Sequence, residues 1–295
     1  MPPINVIRVF PRRTKWTPTD ELAVLGEPPL LWESPTLPVR VSVTFTWDIP
    51  EAQRLARSWT RYFEDVRIGG PAFNDPGDEF TPGMFVKQGV VVTSRGCPKA
   101  CSFCLVPQRE GRIRELQIKD GWNVFDNNLL ACSRHHIEAV FEMLQRQPEP
   151  AHFTGGLDKT LLEPWHINLL KSIRLKRAWF ACDSEAGFPA LQRAADLLSD
   201  FSREKKYCYV LVGYHQETPA EAEARLMRIF DLGFMPFSML YRGPETVCRM
   251  HRDPEWRKLV RKWCNPARYK AFMKETSYAS SGLSLFAKRE MFNAQ

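Results

Sequence analysis

The run Gly89-Val90-Val91-Val92-Thr93-Ser94-Arg95-Gly96-Cys97-Pro98-Lys99-Ala100-Cys101-Ser102-Phe103-Cys104 organises the chain. It starts as a β-branched apolar segment of strand length and passes directly into a loop carrying three thiols. Downstream, the same alternation of strand and helix repeats. Candidate strands are Gly89 to Thr93, Trp122 to Asp126, Ala151 to Thr154, Arg177 to Cys182, Tyr207 to Gly213 and Phe234 to Tyr241. Helical stretches lie between them at Arg134 to Gln145, Pro164 to Ile173, Phe188 to Phe201 and Pro219 to Leu232. Ser133 marks one helix start, and Thr218-Pro219-Ala220-Glu221 supplies a cap, a first-turn proline and an early carboxylate at another. Helices that return the chain to the same sheet end predict a parallel α/β sheet. Periodicity fits both an open barrel and a doubly wound sheet; strand ends that carry polar chemistry point to the barrel.

Upstream, Val39, Val41, Val43 and Phe45 alternate with polar residues, Pro50 opens a helix through Leu55, Trp59 and Phe63, and Val66 to Ile68 reads as a strand. A boundary near Pro82 divides a small N-terminal α/β unit, residues 1–82, from the main body, 83–241. The tail, 242–295, is basic. From Arg242 to Lys274 it carries ten Lys and Arg against three acids. Trp256, Leu259, Val260 and Trp263 share one helix face there, with Arg257, Lys258, Arg261 and Lys262 elsewhere.

Composition narrows the class. The 295 residues are 44% hydrophobic and 25% charged, which excludes disordered and collagen-like chains. No apolar run approaches the roughly 18 residues of a spanning helix, and the first residues lack a signal-peptide plan, so a soluble cytoplasmic protein with no membrane partner is expected. Eight cysteines in such a chain favour metal or catalytic roles over disulfides. A net charge of +7 suits a polyanionic partner.

Cys97, Cys101 and Cys104, in C-x3-C-x2-C spacing, can converge on one iron–sulfur cluster. Ordinary clusters take four cysteines, and the next one along the chain is Cys132. A three-cysteine zinc site completed from elsewhere is the alternative.

This motif, with Phe103 just before the last cysteine, resembles the radical S-adenosylmethionine (radical SAM) superfamily over about Gly89 to Tyr241. The resemblance implies a partial (β/α)6 barrel in which Cys97, Cys101 and Cys104 hold a 4Fe-4S cluster. Its open iron would chelate S-adenosylmethionine, and one electron would cleave the cofactor to a 5′-deoxyadenosyl radical that abstracts a substrate hydrogen. Phe103 corresponds to the aromatic position beside the adenine. Asp126 and Asn127 correspond to the polar end of the second strand, similar to members with a cobalamin-binding-like N-terminal domain. Gly155 and Gly156 permit close backbone approach. Asp183 and Ser184 fall where contacts to ribose and carboxylate belong, and Gly213 and Glu217 in the segment that runs past the adenine. Turn chemistry at strand ends is the alternative for these residues, and a helix-start carboxylate is the alternative for Glu217. His215 is a further loop candidate. The N-terminal unit resembles a shrunken cobalamin-binding domain at Asp65 to Pro71, yet cobalamin is not expected, because no Asp-x-His-x-x-Gly motif is present and the first histidine is His135.

The implied electron donor is of flavodoxin or ferredoxin type. Arg257, Lys258, Arg261 and Lys262, interleaved with Trp256, Trp263, Tyr269, Phe272 and Tyr278, fit a surface that follows phosphates and stacks on bases, and so a DNA or RNA substrate. A solvated basic helix with a buried Trp face is the alternative. The leading functional expectation is a radical SAM enzyme modifying or isomerising a nucleobase or modified nucleotide, including DNA hypermodification of the kind linked to bacteriophage proteins. A radical SAM enzyme for a small metabolite or peptide, and a non-catalytic nucleic-acid-binding module with structural zinc or iron–sulfur, are the competing expectations.

Overall fold

The computed structural model describes residues 5–29, 36–75, 79–214, 216–241 and 253–271. These form two compact units that divide between Ala178 and Trp179.

The first unit opens with a four-stranded sheet of β1 (Ile7–Phe10), β2 (Ala23–Leu25), β3 (Val39–Ser42) and β4 (Val66–Gly69), ordered β2-β1-β3-β4 and parallel throughout. Helix α1 (Ile49–Trp59) crosses between β3 and β4, with Pro50 in its first turn. It presents Ala52, Leu55 and Trp59 to Ile7, Val9, Val39 and Val41, all essentially inaccessible. Three- and four-residue spacing on the helix thus meets two-residue spacing on the strands. The Trp59 indole donates to the Gly26 carbonyl at 3.0 Å. The alternation read at Val39 predicts β3, although the strand ends at Ser42. Val43 instead enters a turn, bonded to Gly69 and Ala72.

Strand β1 escapes the sequence pattern because Arg8 is fully buried between Ile7 and Val9. Its guanidinium donates to the carbonyls of Gly83 (3.1 Å) and Met84 (2.9 Å) and pairs with Asp20. These bonds compensate the cost of burying the charge.

The rest of the first unit carries β5 (Val90–Val91), β6 (Ser94–Arg95), α2 (Val106–Arg109), β7 (Arg114–Glu115), β8 (Asn123–Val124), α3 (Arg134–Gln145), β9 (Ala151–Phe153), α4 (Pro164–Ser172) and the start of β10 (Leu175–Ala181). Strands β5, β8, β9 and β10 lie in that order and pair in parallel; β6 and β7 form a separate antiparallel pair. Ser133 caps α3, accepting from the His136 amide at 3.3 Å.

The second unit continues β10 into α5 (Phe188–Leu197), β11 (Lys206–Val212), α6 (Pro219–Asp231), β12 (Met235–Leu240) and α7 (Pro254–Trp263). Strands β11 and β12 pair in parallel over six residues. Thr218 and Glu221 form the reciprocal capping box that their spacing predicts. Trp256, Leu259 and Trp263 bury the inner face of α7, and Trp263 stacks on fully buried Tyr269 at 5.2 Å.

The larger sheet has the order β12-β11-β10-β9-β8-β5, and the expected mixed α/β architecture with parallel sheets is present. Among the described residues no barrel is closed: β5 and β12 stand at opposite ends of that order. No helix among the described residues is long and apolar enough to cross a membrane.

Candidate functional site

The three-thiol loop lies between two short strands that hold its ends together. Ser94 and Arg95 on β6 pair with Glu115 and Arg114 on β7, and the Cys97 amide donates to the Gly111 carbonyl at 3.2 Å. Gly96 opens the loop at φ 85°, where an added Cβ would meet the Arg112 carbonyl oxygen at 2.2 Å. Only glycine fits this position. The Gly96 amide is shared between Asn127 Oδ1 (3.0 Å) and Glu110 Oε2 (3.3 Å). Glu110 is buried and also accepts from Arg109 at 2.6 Å. It therefore fixes the exit of the loop to its entrance, a role without a sequence signal beyond its place after Arg109.

Cys97 and Cys104 are half-buried, Cys101 is exposed, and none of the three is in a disulfide. Phe103 is half-buried between them in sequence. Asn128 Nδ2 lies 3.5 Å from Cys97 Sγ and 3.2 Å from Asp158 Oδ2. Asp158 Oδ1 accepts from the Thr160 amide (2.9 Å) and hydroxyl (2.7 Å), and Lys99 of the thiol loop reaches it at 3.2 Å. Burial pushes the Asp158 carboxyl up, but the Thr160 bonds and the Lys99 charge outweigh it and hold the group below its ordinary value. Asn128, Asp158 and Lys99 thus tether the loop to the ends of β8 and β9. None of the three carries a local sequence signal for this tether, because its partners lie about 30 to 60 residues away.

Asp126 takes a different role from the cofactor contact expected of it. It is almost wholly buried, and its carboxylate accepts from the Thr93 amide (2.6 Å), the Thr93 hydroxyl (2.6 Å) and the Ser94 hydroxyl (2.7 Å). Burial raises its pKa despite these bonds. Asp126 joins β8 to the strand entering the thiol loop. Asn127 likewise points to the Gly96 amide. Gly155 serves backbone packing: an added Cβ would sit 2.1 Å from the Asp126 carbonyl oxygen. Gly156 adopts φ 104° in the turn that follows. The Cys132 thiol, near Asp126 and Glu115, is pushed up to about 12 by burial and by those charges, so it stays protonated.

The remaining expected residues lie in the second unit. Asp183 accepts from the Leu211 amide at 2.7 Å, and Ser184 is exposed before a short 3-10 turn. Gly213, at φ 75°, donates to Glu217 Oε2 at 2.9 Å. Glu217 Oε1 receives Arg225 Nε at 3.2 Å, and Arg225, itself buried, also donates to the carbonyls of Cys182 (3.3 Å) and Leu211 (2.9 Å). The helix-start carboxylate is Glu221, and Glu217 braces α6, through Arg225, to β11 and to Cys182 just past β10.

On α7, Arg257, Lys258, Arg261 and Lys262 line one groove of about 470 Å³ together with Pro254 and Arg268. The expectation that the tail aromatics stack on bases is corrected for Trp256, Trp263 and Tyr269, which are buried in the core. His215, Cys248, Phe272 and Tyr278, with Arg242, Arg249, Arg252 and Lys274, lie outside the described residues.

Among the described residues, no three His, Cys, Asp or Glu side chains are grouped to hold a metal ion. The donor chemistry of Cys97, Cys101 and Cys104 nevertheless fits a sulfur-ligated centre, since three cysteines outside any disulfide, all at least partly exposed, sit on one short clamped loop. No family model and no curated protein matches the chain.

Proposed function

We propose that the chain is a radical SAM enzyme acting on a nucleobase or modified nucleotide. The observation that carries this reading is the C-x3-C-x2-C loop, clamped at both ends between β6 and β7, which the chain enters a few residues after β5 of the parallel sheet. Ligand-facing loops of parallel α/β folds belong at that end of the strands. Cys97, Cys101 and Cys104 would hold a 4Fe-4S cluster. When bound, that cluster supplies the electron that cleaves S-adenosylmethionine and so enables removal of a substrate hydrogen.

The chain's own part is positional. Glu110 and Asn127 fix the loop entrance through the Gly96 amide. Asn128 donates toward Cys97 Sγ, a contact of the kind that tunes sulfur ligands. Lys99 ties the middle of the loop to Asp158 and Thr160. In this reading the six-strand series is an open (β/α)6 arrangement and the electron donor is of flavodoxin or ferredoxin type.

The test is iron and sulfide content after anaerobic reconstitution, followed by 5′-deoxyadenosine formation from S-adenosylmethionine under dithionite. About four irons per chain, with both iron and 5′-deoxyadenosine lost in Cys101→Ala, is the expected result. Zinc in place of iron, or an iron centre that leaves S-adenosylmethionine intact, would replace this reading with that of a non-catalytic binding module.

A further inference from the structure

Helix α7 separates two chemistries. Its inner face, Trp256, Leu259 and Trp263, is buried, so the helix position is fixed by the core. Its outer face carries Arg257 with Arg261 and Lys258 with Lys262, two i, i+4 pairs whose members stand about 6 Å apart along the axis. Arg268 joins them from the helical segment 266–271, its guanidinium 3.5 Å from the Arg261 carbonyl. These five cations and Pro254 line the groove of about 470 Å³. Lys262 is offset by Glu223 at 2.6 Å. Among the described residues, Arg257, Lys258, Arg261 and Arg268 have no carboxylate within ion-pair distance, and all four are exposed.

We infer that this groove binds the phosphodiester backbone of a nucleic acid, without reading its sequence. Three features select that ligand. Guanidinium groups match phosphate oxygens in fork geometry, and three of the five cations are arginines. A protein partner would require an apolar centre to its interface, and Pro254 is the sole apolar residue of the lining. Base readout by stacking would need accessible aromatics, and Trp256, Trp263 and Tyr269 are buried. What remains is backbone contact that positions a strand without specifying it. As a statement about substrate, namely that the nucleobase is presented within a polymer, this rests on the radical SAM reading; the binding itself does not.

The full chain is titrated against a fluorescein-labelled 25-base-pair duplex of mixed sequence, and anisotropy is followed from 50 to 200 mM NaCl. Neutralising roughly four phosphates gives a log–log slope of about −3.6, which is an affinity loss of about 150-fold over that range. Arg257→Ala/Arg261→Ala should bring the slope to about −1.8 and the loss to about 12-fold. Charge reversal at the same two positions should abolish binding, and thermal melts of each variant confirm folding. Absence of duplex binding at 50 mM salt, or a slope unchanged in both folded variants, overturns the inference. So does a flavodoxin-type protein that binds this face in place of the duplex. Because the assay reads affinity alone, its failure is separate from failure of the iron and 5′-deoxyadenosine measurements.

Discussion

Asp126 is a buried carboxylate and Asp158 a half-buried one, each just past a strand end, and their surroundings move them in opposite directions. Asp158 is held below its ordinary value, so its contribution to stability is present above the unfolded pKa near 4 and disappears as pH falls through the folded one. Asp158→Asn should destabilise by about 1 kcal/mol at pH 7, with the gap from wild type closing at acid pH. Urea titrations at pH 3 and pH 7 measure it. Asp126 organises Thr93 and Ser94, and Asp126→Ala would leave three buried donors unpaired, at a cost of about 3–5 kcal/mol. Gly155→Ala places a methyl against the Asp126 carbonyl, where backbone must shift, and should cost about 1–3 kcal/mol in the same assay. Equal stability of the Gly155 variant would mean that the ends of β8 and β9 are less closely packed than their geometry indicates.

Elements were legible where one face is buried in a regular period. The span of α3 is the one its pattern predicts, α4, α6 and β9 each end one residue earlier than their pattern predicts, and β11 is shifted by one residue. Strand β1 was not legible, since its four consecutive residues are all buried and one of them is an arginine whose partners lie up to 76 residues away. The β6/β7 pair was hidden too, because two-residue strands have no period to read. Pairing across β9 and β10 adds a property that no single strand reveals. His152 stands in register with Arg177, and burial together with Arg177, Lys15 and Lys176 lowers its pKa to about 4. The unfolded chain therefore binds a proton there, between about pH 6.5 and 4, that the folded chain does not, so stability falls as pH falls through that window. After allowance for its half exposure, the loss is about 1–2 kcal/mol. His152→Gln should flatten the decline between pH 6.5 and 4.5 relative to wild type. An unaltered pH profile would show that the imidazole finds a counter-charge when protonated.

At the scale of the whole chain, sequence reading located the three thiols and the strand ends around them, because both are contiguous in sequence. The residues that hold the thiol loop in place carry no such signal: Glu110, Asn128 and Lys99 act through partners brought near only by folding. Those tethers give the cofactor reading a consequence beyond catalysis. The thiol loop is tied to β6 and β7 at its ends and to the strand ends of β8 and β9 through Lys99 and Asn128. A centre bound by Cys97, Cys101 and Cys104 in the folded chain must then stabilise more than the loop. A ligand at 100 times its dissociation constant adds about 2.7 kcal/mol, less whatever it gains by binding the unfolded thiols. For a chain of this size that corresponds to roughly 5 °C in melting temperature. Anaerobically reconstituted protein should melt about 5 °C above the iron-free form by circular dichroism, while Cys101→Ala treated identically should show no difference. A reconstituted protein with full iron and an unchanged melting temperature would mean that the loop binds its metal independently of the sheet, and the tethers through Lys99, Asn128 and Asp158 would lose the positioning role assigned to them.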